Sequence, residues 1–138
     1  MAALVRHVTA TQAEYPRTDT GILPDASEIV RLYEALDSVS EQDNPRTARL
    51  LASGRSKIAQ KLIEEAGEIA LEAVRHRARN IVRESADLIY HMVVLWHECG
   101  IAPEEIWAEM RQRADKLGIA EKLPKAPDRH AAAIGFGK

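Results

Sequence analysis

The sequence has little of what would indicate a disulfide-stabilised or membrane-spanning protein. Cys99 is the only cysteine, so no internal disulfide can form. The most apolar run, residues 88–96, is interrupted by His91 and is far shorter than the roughly 20 residues that cross a bilayer. The first residues also lack the long apolar region of a signal peptide. We therefore expect a cytoplasmic protein that does not enter a membrane.

Aromatic residues and net charge are scarce as well. Aromatic residues make up 4% of the chain, and 19 basic residues face 21 acidic ones, for a formal net charge of -2. This balance gives no general reason to expect a nucleic-acid partner. Helix-forming residues are abundant, and 46% of the 138 residues are hydrophobic, which is enough for one core. We expect a single all-α domain.

The order of the segments predicts three regions. Residues 1–23 show no sustained apolar period and are interpreted as an N-terminal extension, and residues 124–138 as a proline- and alanine-rich C-terminal tail. Between them, residues 24–123 form the predicted helical domain. Apolar spacing predicts four main helices, at about residues 27–40, 56–77, 78–99 and 103–117, and a short one at residues 46–52.

Glutamates on the predicted helix at residues 56–77 form a stripe beside its apolar face. The members of this stripe are Glu64, Glu65, Glu68 and Glu72. A row of glutamates next to an apolar face is usually just solvated. Taken by itself, this helix does not predict a metal site.

The next helix, residues 78–99, differs because acidic residues share a face with apolar ones. Glu84 and Asp87 project to the same side as Leu88 and Val94. An ionised carboxylate in a core stripe is costly unless it is paired or binds metal. Salt bridges are one alternative, and the candidate partners are Arg75, Arg79 and Arg83. We interpret His91, on the same side, as a hydrogen-bonded interior histidine rather than a ligand.

A short basic turn makes these two helices antiparallel neighbours, with Glu68 and Glu84 at similar heights. Several like charges this close cannot all stay ionised without cations. Carboxylate oxygens favour Mg²⁺ or Mn²⁺, which also bind phosphates, whereas the Glu-x-x-His pairs of di-iron bundles and the Cys/His clusters of zinc sites are lacking. We therefore predict phosphate-chain hydrolysis. Candidate phosphate partners are Lys57, Lys61, Arg79 and Arg83.

Two motifs now carry a family resemblance. Residues 61–68 (KLIEEAGE) and 84–91 (ESADLIYH) resemble the E-E-x-x-E and E-x-x-D motifs of the all-α nucleoside-triphosphate pyrophosphatase, or MazG-like, superfamily. Within it, these motifs and the turn at residues 100–105 (GIAPEE) are most similar to the phosphoribosyl-ATP pyrophosphatase family of histidine biosynthesis. The likeness covers about residues 29–113.

The resemblance implies a MazG-like helical bundle and Mg²⁺-dependent hydrolysis of phosphoribosyl-ATP to phosphoribosyl-AMP and pyrophosphate. It implies sites assembled by a homodimer or larger homo-oligomer. The implied metal ligands are Glu65, Glu68, Glu84 and Asp87. Glu64 and Glu65 are the implied catalytic residues, with Glu64 assisting or orienting the attacking water. The implied phosphate contacts are Lys61, Lys57 and Arg83.

Two alternatives stay open. Residues 44–50 differ from the Ser-Tyr-Thr-like segment of the family and match it well only at Thr47 and Leu50. A MazG-type pyrophosphatase acting on free or modified nucleoside triphosphates is therefore one alternative. The other is a catalytically silent helical dimerisation module, which the intact acidic set disfavours because unused buried charge destabilises a core.

Overall fold

The computed structural model describes residues 19–126, and within that range the protein is entirely helical. Its elements are α1 (Ser27–Ala35) with a 3-10 turn (Leu36–Ser38), α2 (Pro45–Ala52), α3 (Arg55–Val74), α4 (Ala78–Glu98) and α5 (Pro103–Leu117). The all-α prediction is confirmed. Residues 1–18 and 127–138, which hold most of the predicted extension and tail, lie outside the described residues. No helix of the described part is long and apolar enough to cross a membrane.

Local chemistry accounts for most helix ends. Pro45 and Pro103 each begin a helix, where the missing N–H costs nothing and the fixed φ suits the first turn. The first helix is shorter than predicted, because residues 36–38 tighten into the 3-10 turn before Val39 becomes extended. Gly118 ends α5 in the left-handed conformation that glycine tolerates.

The turn between α3 and α4 comes earlier than predicted, since α3 ends at Val74 rather than residue 77. His76 adopts a left-handed φ of 55°. Its N–H donates to the Ala73 carbonyl at 3.1 Å, and the Arg77 N–H donates to the Glu72 carbonyl at 3.1 Å. These two bonds form a Schellman motif, which satisfies carbonyls at the helix end and reverses the chain.

The core lies away from this turn. Its buried apolar side chains are Leu36, Ile58, Val93 and Val94. They come from the end of the α1 segment, the start of α3 and the second half of α4, where α1 and α2 pack against the hairpin. Within the apolar run at residues 88–96, full burial is therefore reached at Val93 and Val94.

Part of the α3–α4 hairpin outside this core is left uncovered by residues 19–126. Large apolar side chains are exposed along it, and we call them the hairpin stripe. They are Ile63, Leu71, Val74, Val82 and Ile89. Their exposed fractions run from 37% at Ile89 to 78% at Val74. The hairpin thus presents its acidic residues and a broad apolar surface outside the small core.

Candidate metal centre

Three carboxylates meet between the two long helices. Glu65 of α3 and Glu84 and Asp87 of α4 each offer one oxygen, and these oxygens all lie within 4.8 Å of one another. The turn explains the meeting: Glu65 and Asp87 are equally far along the chain from His76, so an antiparallel hairpin sets them at the same height. We call Glu65, Glu84 and Asp87 the carboxylate trio.

The trio is electrostatically unfavourable without a cation. Partial burial, followed by the charge of Glu68, raises the pKa of Glu65, while nearby His91 opposes the shift. A hydrogen bond with Glu68, followed by desolvation and the Glu68 and Asp87 charges, raises the pKa of Glu84. Both shifts show carboxyl groups that resist ionising together, and a divalent cation would relieve that repulsion.

Three of the four ligands expected from the resemblance form the trio, and Glu68 lies next to them, bonded to Glu84. The salt-bridge alternative does not occur within the described residues: neither Glu84 nor Asp87 pairs with an arginine there. Asp87 is also exposed, so the predicted conflict with a core stripe is milder than expected.

His91 is held by its own helix beside the trio. Its Nδ1 lies 2.8 Å from the Asp87 main-chain oxygen and 3.9 Å from Glu65 Oε1. Its side chain is 12% exposed, and its ring meets Tyr90 edge to face. The hydrogen bond predicted for His91 is therefore present, and the prediction that His91 is not a metal ligand stays a prediction.

Glu64 is not part of the trio and pairs with Lys61 instead. Its Oε2 accepts a hydrogen bond from Lys61 Nζ at 2.8 Å, and its Oε1 accepts one from Gln60 Nε2 at 3.2 Å. The bond from Lys61 lowers the pKa of Glu64, and the same bond raises the pKa of Lys61. Glu64 is therefore a well-ionised carboxylate beside the site. Lys61 is already paired with Glu64 before any phosphate binds.

A second acidic side chain, Glu72, stabilises the hairpin turn rather than the trio. It accepts hydrogen bonds from Asn80 Nδ2 at 2.9 Å and Arg75 Nη1 at 3.1 Å, with Arg77 at 3.8 Å. The Asn80 bond is the main cause of the lowered pKa of Glu72.

Of the candidate phosphate contacts, Lys57, Arg79 and Arg83 are exposed and form no ion pair within residues 19–126.

A cavity of about 650 Å³ adjoins the trio, within the usual size range of ligand sites. Residues of α3 and α4 that line it are Lys61, Glu65, Asp87, Tyr90 and His91. A further wall comes from α2, with Arg46, Thr47 and Leu50. Neither charge nor periodicity had marked α2 as part of a site; the only signal was the match to the family segment at Thr47 and Leu50.

A hairpin of two long helices that gathers carboxylates beside such a cavity defines the all-α, MazG-like class. The family model for phosphoribosyl-ATP pyrophosphohydrolase matches residues 30–114. The chain therefore belongs to the phosphoribosyl-ATP pyrophosphohydrolase family.

Individual relatives agree with this placement. Phosphoribosyl-ATP pyrophosphatase 2 of Rhodopseudomonas palustris is 48% identical over 103 residues, covering 73% of this chain and 79% of that protein. The protein of the same name from Bradyrhizobium diazoefficiens is 51% identical over 98 residues, covering 70% and 73%. Phosphoribosyl-ATP pyrophosphatase of Gluconobacter oxydans is 42% identical over 101 residues, covering 72% and 76%.

Proposed function

We propose that the protein hydrolyses phosphoribosyl-ATP to phosphoribosyl-AMP and pyrophosphate in histidine biosynthesis, as a cytoplasmic, Mg²⁺-dependent enzyme. The carboxylate trio, with its three oxygens inside 4.8 Å, is the observation that carries the proposal. The family supports the substrate, because its relatives are named phosphoribosyl-ATP pyrophosphatases. The reaction breaks the anhydride between the α- and β-phosphates, with water as the nucleophile.

The donor set fits a hard divalent cation. Glu65, Glu84 and Asp87 supply only oxygen ligands, which suit Mg²⁺ and also Mn²⁺. Glu68, beside Glu84, completes the acidic set. When bound, the cation offsets phosphate charge and makes a bound water more acidic.

The glutamates next to each other on α3 suit different tasks. Glu65 belongs to the trio and lines the cavity, so it would hold the cation next to the attacking water. Lys61 keeps Glu64 ionised, so Glu64 is suited to orienting that water rather than to retaining its proton. Lys61 lines the cavity and contacts a substrate phosphate. Lys57 and Arg83 are exposed and do not line the cavity, and they are further candidates for a phosphate contact.

The proposal also includes a second copy of the chain, which would cover the hairpin stripe. The hairpin stripe exposes side chains such as Val74, at 78%, and Ile63, at 74%, on the helices that carry the trio. Contiguous apolar surface of this kind usually marks an interface, and a homo-oligomer is the commonest way to cover it. We propose a homodimer or larger homo-oligomer, with a nucleotide as the small-molecule partner and neither nucleic acid nor membrane required.

The test is pyrophosphate release from phosphoribosyl-ATP with and without Mg²⁺, run beside a panel of free nucleoside triphosphates. We expect turnover of phosphoribosyl-ATP that EDTA removes and Mg²⁺ restores. Glu65→Gln and Glu84→Gln should each abolish turnover with unchanged circular dichroism. Glu104→Gln, a change on exposed α5 surface outside the trio, is the matched control and should retain activity.

Each other result has a distinct meaning. Turnover of the panel alone would replace the substrate with free or modified nucleotides. Full activity in Glu65→Gln or Glu84→Gln would remove the trio from the mechanism. If the protein shows no turnover and calorimetry detects no Mg²⁺ binding, the remaining alternative is a catalytically silent helical dimerisation module.

A further inference from the structure

The α2 wall of the cavity carries a cation, Arg46, that has no acidic partner among residues 19–126. Among the basic side chains on the lining, Lys61 is bonded to Glu64 at 2.8 Å, and His91 is bonded to a main-chain oxygen of its own helix. Arg46 also lines the cavity, and within residues 19–126 it forms no ion pair. An exposed guanidinium beside a ligand-sized cavity is free to bind an anion.

The anions of the proposed substrate lie at two separate places. Phosphoribosyl-ATP carries a triphosphate at one end and a single phosphate on the added ribose. The carboxylate trio and Lys61, both from the α3–α4 hairpin, account for the triphosphate. The lone phosphate needs a cation on another wall, and α2 supplies Arg46 there.

Resting on the proposed function, we propose that Arg46 is a specificity-determining residue that binds the phosphate of the phosphoribosyl arm. Free ATP lacks this phosphate, so the contact favours the larger substrate over a nucleotide that is abundant in cells. A guanidinium presents two parallel N–H donors to a phosphate, which gives a stronger and more directional contact than an ammonium.

The backbone at Arg46 is held in place relative to the trio. Arg46 follows Pro45, the first residue of α2, and precedes Thr47. The Thr47 hydroxyl lies 2.7 Å from the Tyr90 hydroxyl of α4, the helix that carries Asp87. This bond fixes the α2 wall against the helix of the metal site, so the distance between the two phosphate-binding regions is set by the fold.

The test compares variants on two substrates: phosphoribosyl-ATP and the same nucleotide lacking the phosphate on the added ribose. The variants are Arg46→Ala, Arg46→Lys and, as a matched control, Arg49→Ala. Arg49 lies on the same helix, is exposed, and donates to the Pro45 carbonyl at 3.3 Å without lining the cavity. Thermal melting is measured for each protein to establish that it folds.

We expect Arg46→Ala to raise KM for phosphoribosyl-ATP about tenfold or more, the usual effect of losing a hydrogen bond to a charged group, with kcat little changed. Arg46→Lys should recover part of this loss, and Arg49→Ala should match the wild type. On the substrate without the phosphate, wild type and Arg46→Ala should have the same KM. That pattern assigns the contact to the added ribose phosphate.

Two results would overturn the inference while the proposed function stands. An unchanged KM in Arg46→Ala would show that Arg46 does not bind substrate. An equal loss on both substrates would place Arg46 on the triphosphate or in the general field of the cavity. By contrast, a wild-type enzyme that fails to turn over phosphoribosyl-ATP would overturn the proposed function itself, and the role of Arg46 with it.

Discussion

The hydroxyl oxygens of Thr47 and Tyr90 lie 2.7 Å apart, and this single bond joins α2 to α4 at the wall of the cavity. Thr47 is one of the two residues in its segment that match the family pattern, and Tyr90 lies in the motif that carries Asp87. The bond therefore links two positions that fit the family pattern, one on α2 and one on the hairpin. It is also partly buried, so breaking it leaves a hydroxyl with fewer partners.

Removing the Tyr90 hydroxyl tests this link. We expect Tyr90→Phe and Thr47→Val each to lower the free energy of unfolding by about 0.5–1.5 kcal/mol, and to raise KM because the α2 wall loosens. The double variant should cost less than the two single losses together, because both remove the same bond. Urea denaturation measures the stability, with Tyr33→Phe as control, since the Tyr33 ring packs on His97 away from the cavity. Fully additive losses would contradict the coupling.

The stability of the metal-free protein should fall as pH rises from 4.5 through the raised pKa values of Glu65 and Glu84. The pKa values of Glu65 and Glu84 are raised above 4.5, so above that pH the folded state holds protons that the unfolded state has released. The contribution of these two groups to the free energy of unfolding is complete below pH 4.5 and is lost as the pH rises through their raised pKa values. Thermal melting across this range, with and without Mg²⁺, is the measurement. Mg²⁺ should abolish the decline, because it favours the ionised carboxylates.

The same experiment has an internal control. Glu84→Gln should flatten the metal-free decline and weaken the response to Mg²⁺. Glu72→Gln should leave the decline intact, because the lowered pKa of Glu72 acts at pH values below its ordinary 4.5. A metal-free protein whose stability is constant or rises over this pH range would show that the trio does not repel itself.

His76→Gly should stabilise the protein. His76 holds a φ of 55°, a left-handed conformation that costs a side-chain-bearing residue about 1 kcal/mol and costs glycine little. We expect a gain of about 0.5–1 kcal/mol, reduced by the greater freedom of glycine in the unfolded chain. The reverse change, Gly100→Ala, is the matched control. Gly100 ends α4 in the same motif at a φ of 68°, and no atom lies near the Cβ that alanine would add. This variant should lower the free energy of unfolding by a similar amount. Denaturant unfolding of both variants compares them, and a loss of stability in His76→Gly would contradict the expectation.

Charges placed in the hairpin stripe should dissociate the proposed oligomer. Ile63→Glu and Val82→Glu, at positions 74% and 62% exposed, should shift the protein to monomer at micromolar concentration, because a carboxylate cannot be buried there without a partner. Light scattering coupled to size exclusion reports the mass. Leu123→Glu alters an exposed leucine outside α3 and α4 and should not change the mass. A wild-type protein that is already monomeric would reject the proposed oligomer.

The sequence by itself determined the helical elements and the presence of an acidic site. Apolar spacing, Pro45, Pro103 and Gly118 are local signals, and the helices they predict agree with the structure to within a few residues. The placement of Glu68 and Glu84 about a short turn was equally readable, because an antiparallel hairpin follows from two long helices and a short connection.

Only the tertiary structure decided which acids meet. Glu64 and Glu65 are neighbours in sequence, yet a rotation of about 100° along the helix turns one towards Lys61 and the other towards Asp87. The angle at which α4 packs on α3 selects between them, and that angle depends on side chains distant in the sequence. The same holds for Arg46, since α2 reaches the cavity through packing and through the bond from Thr47 to Tyr90. Local periodicity specifies a helix, but contacts between helices specify the site.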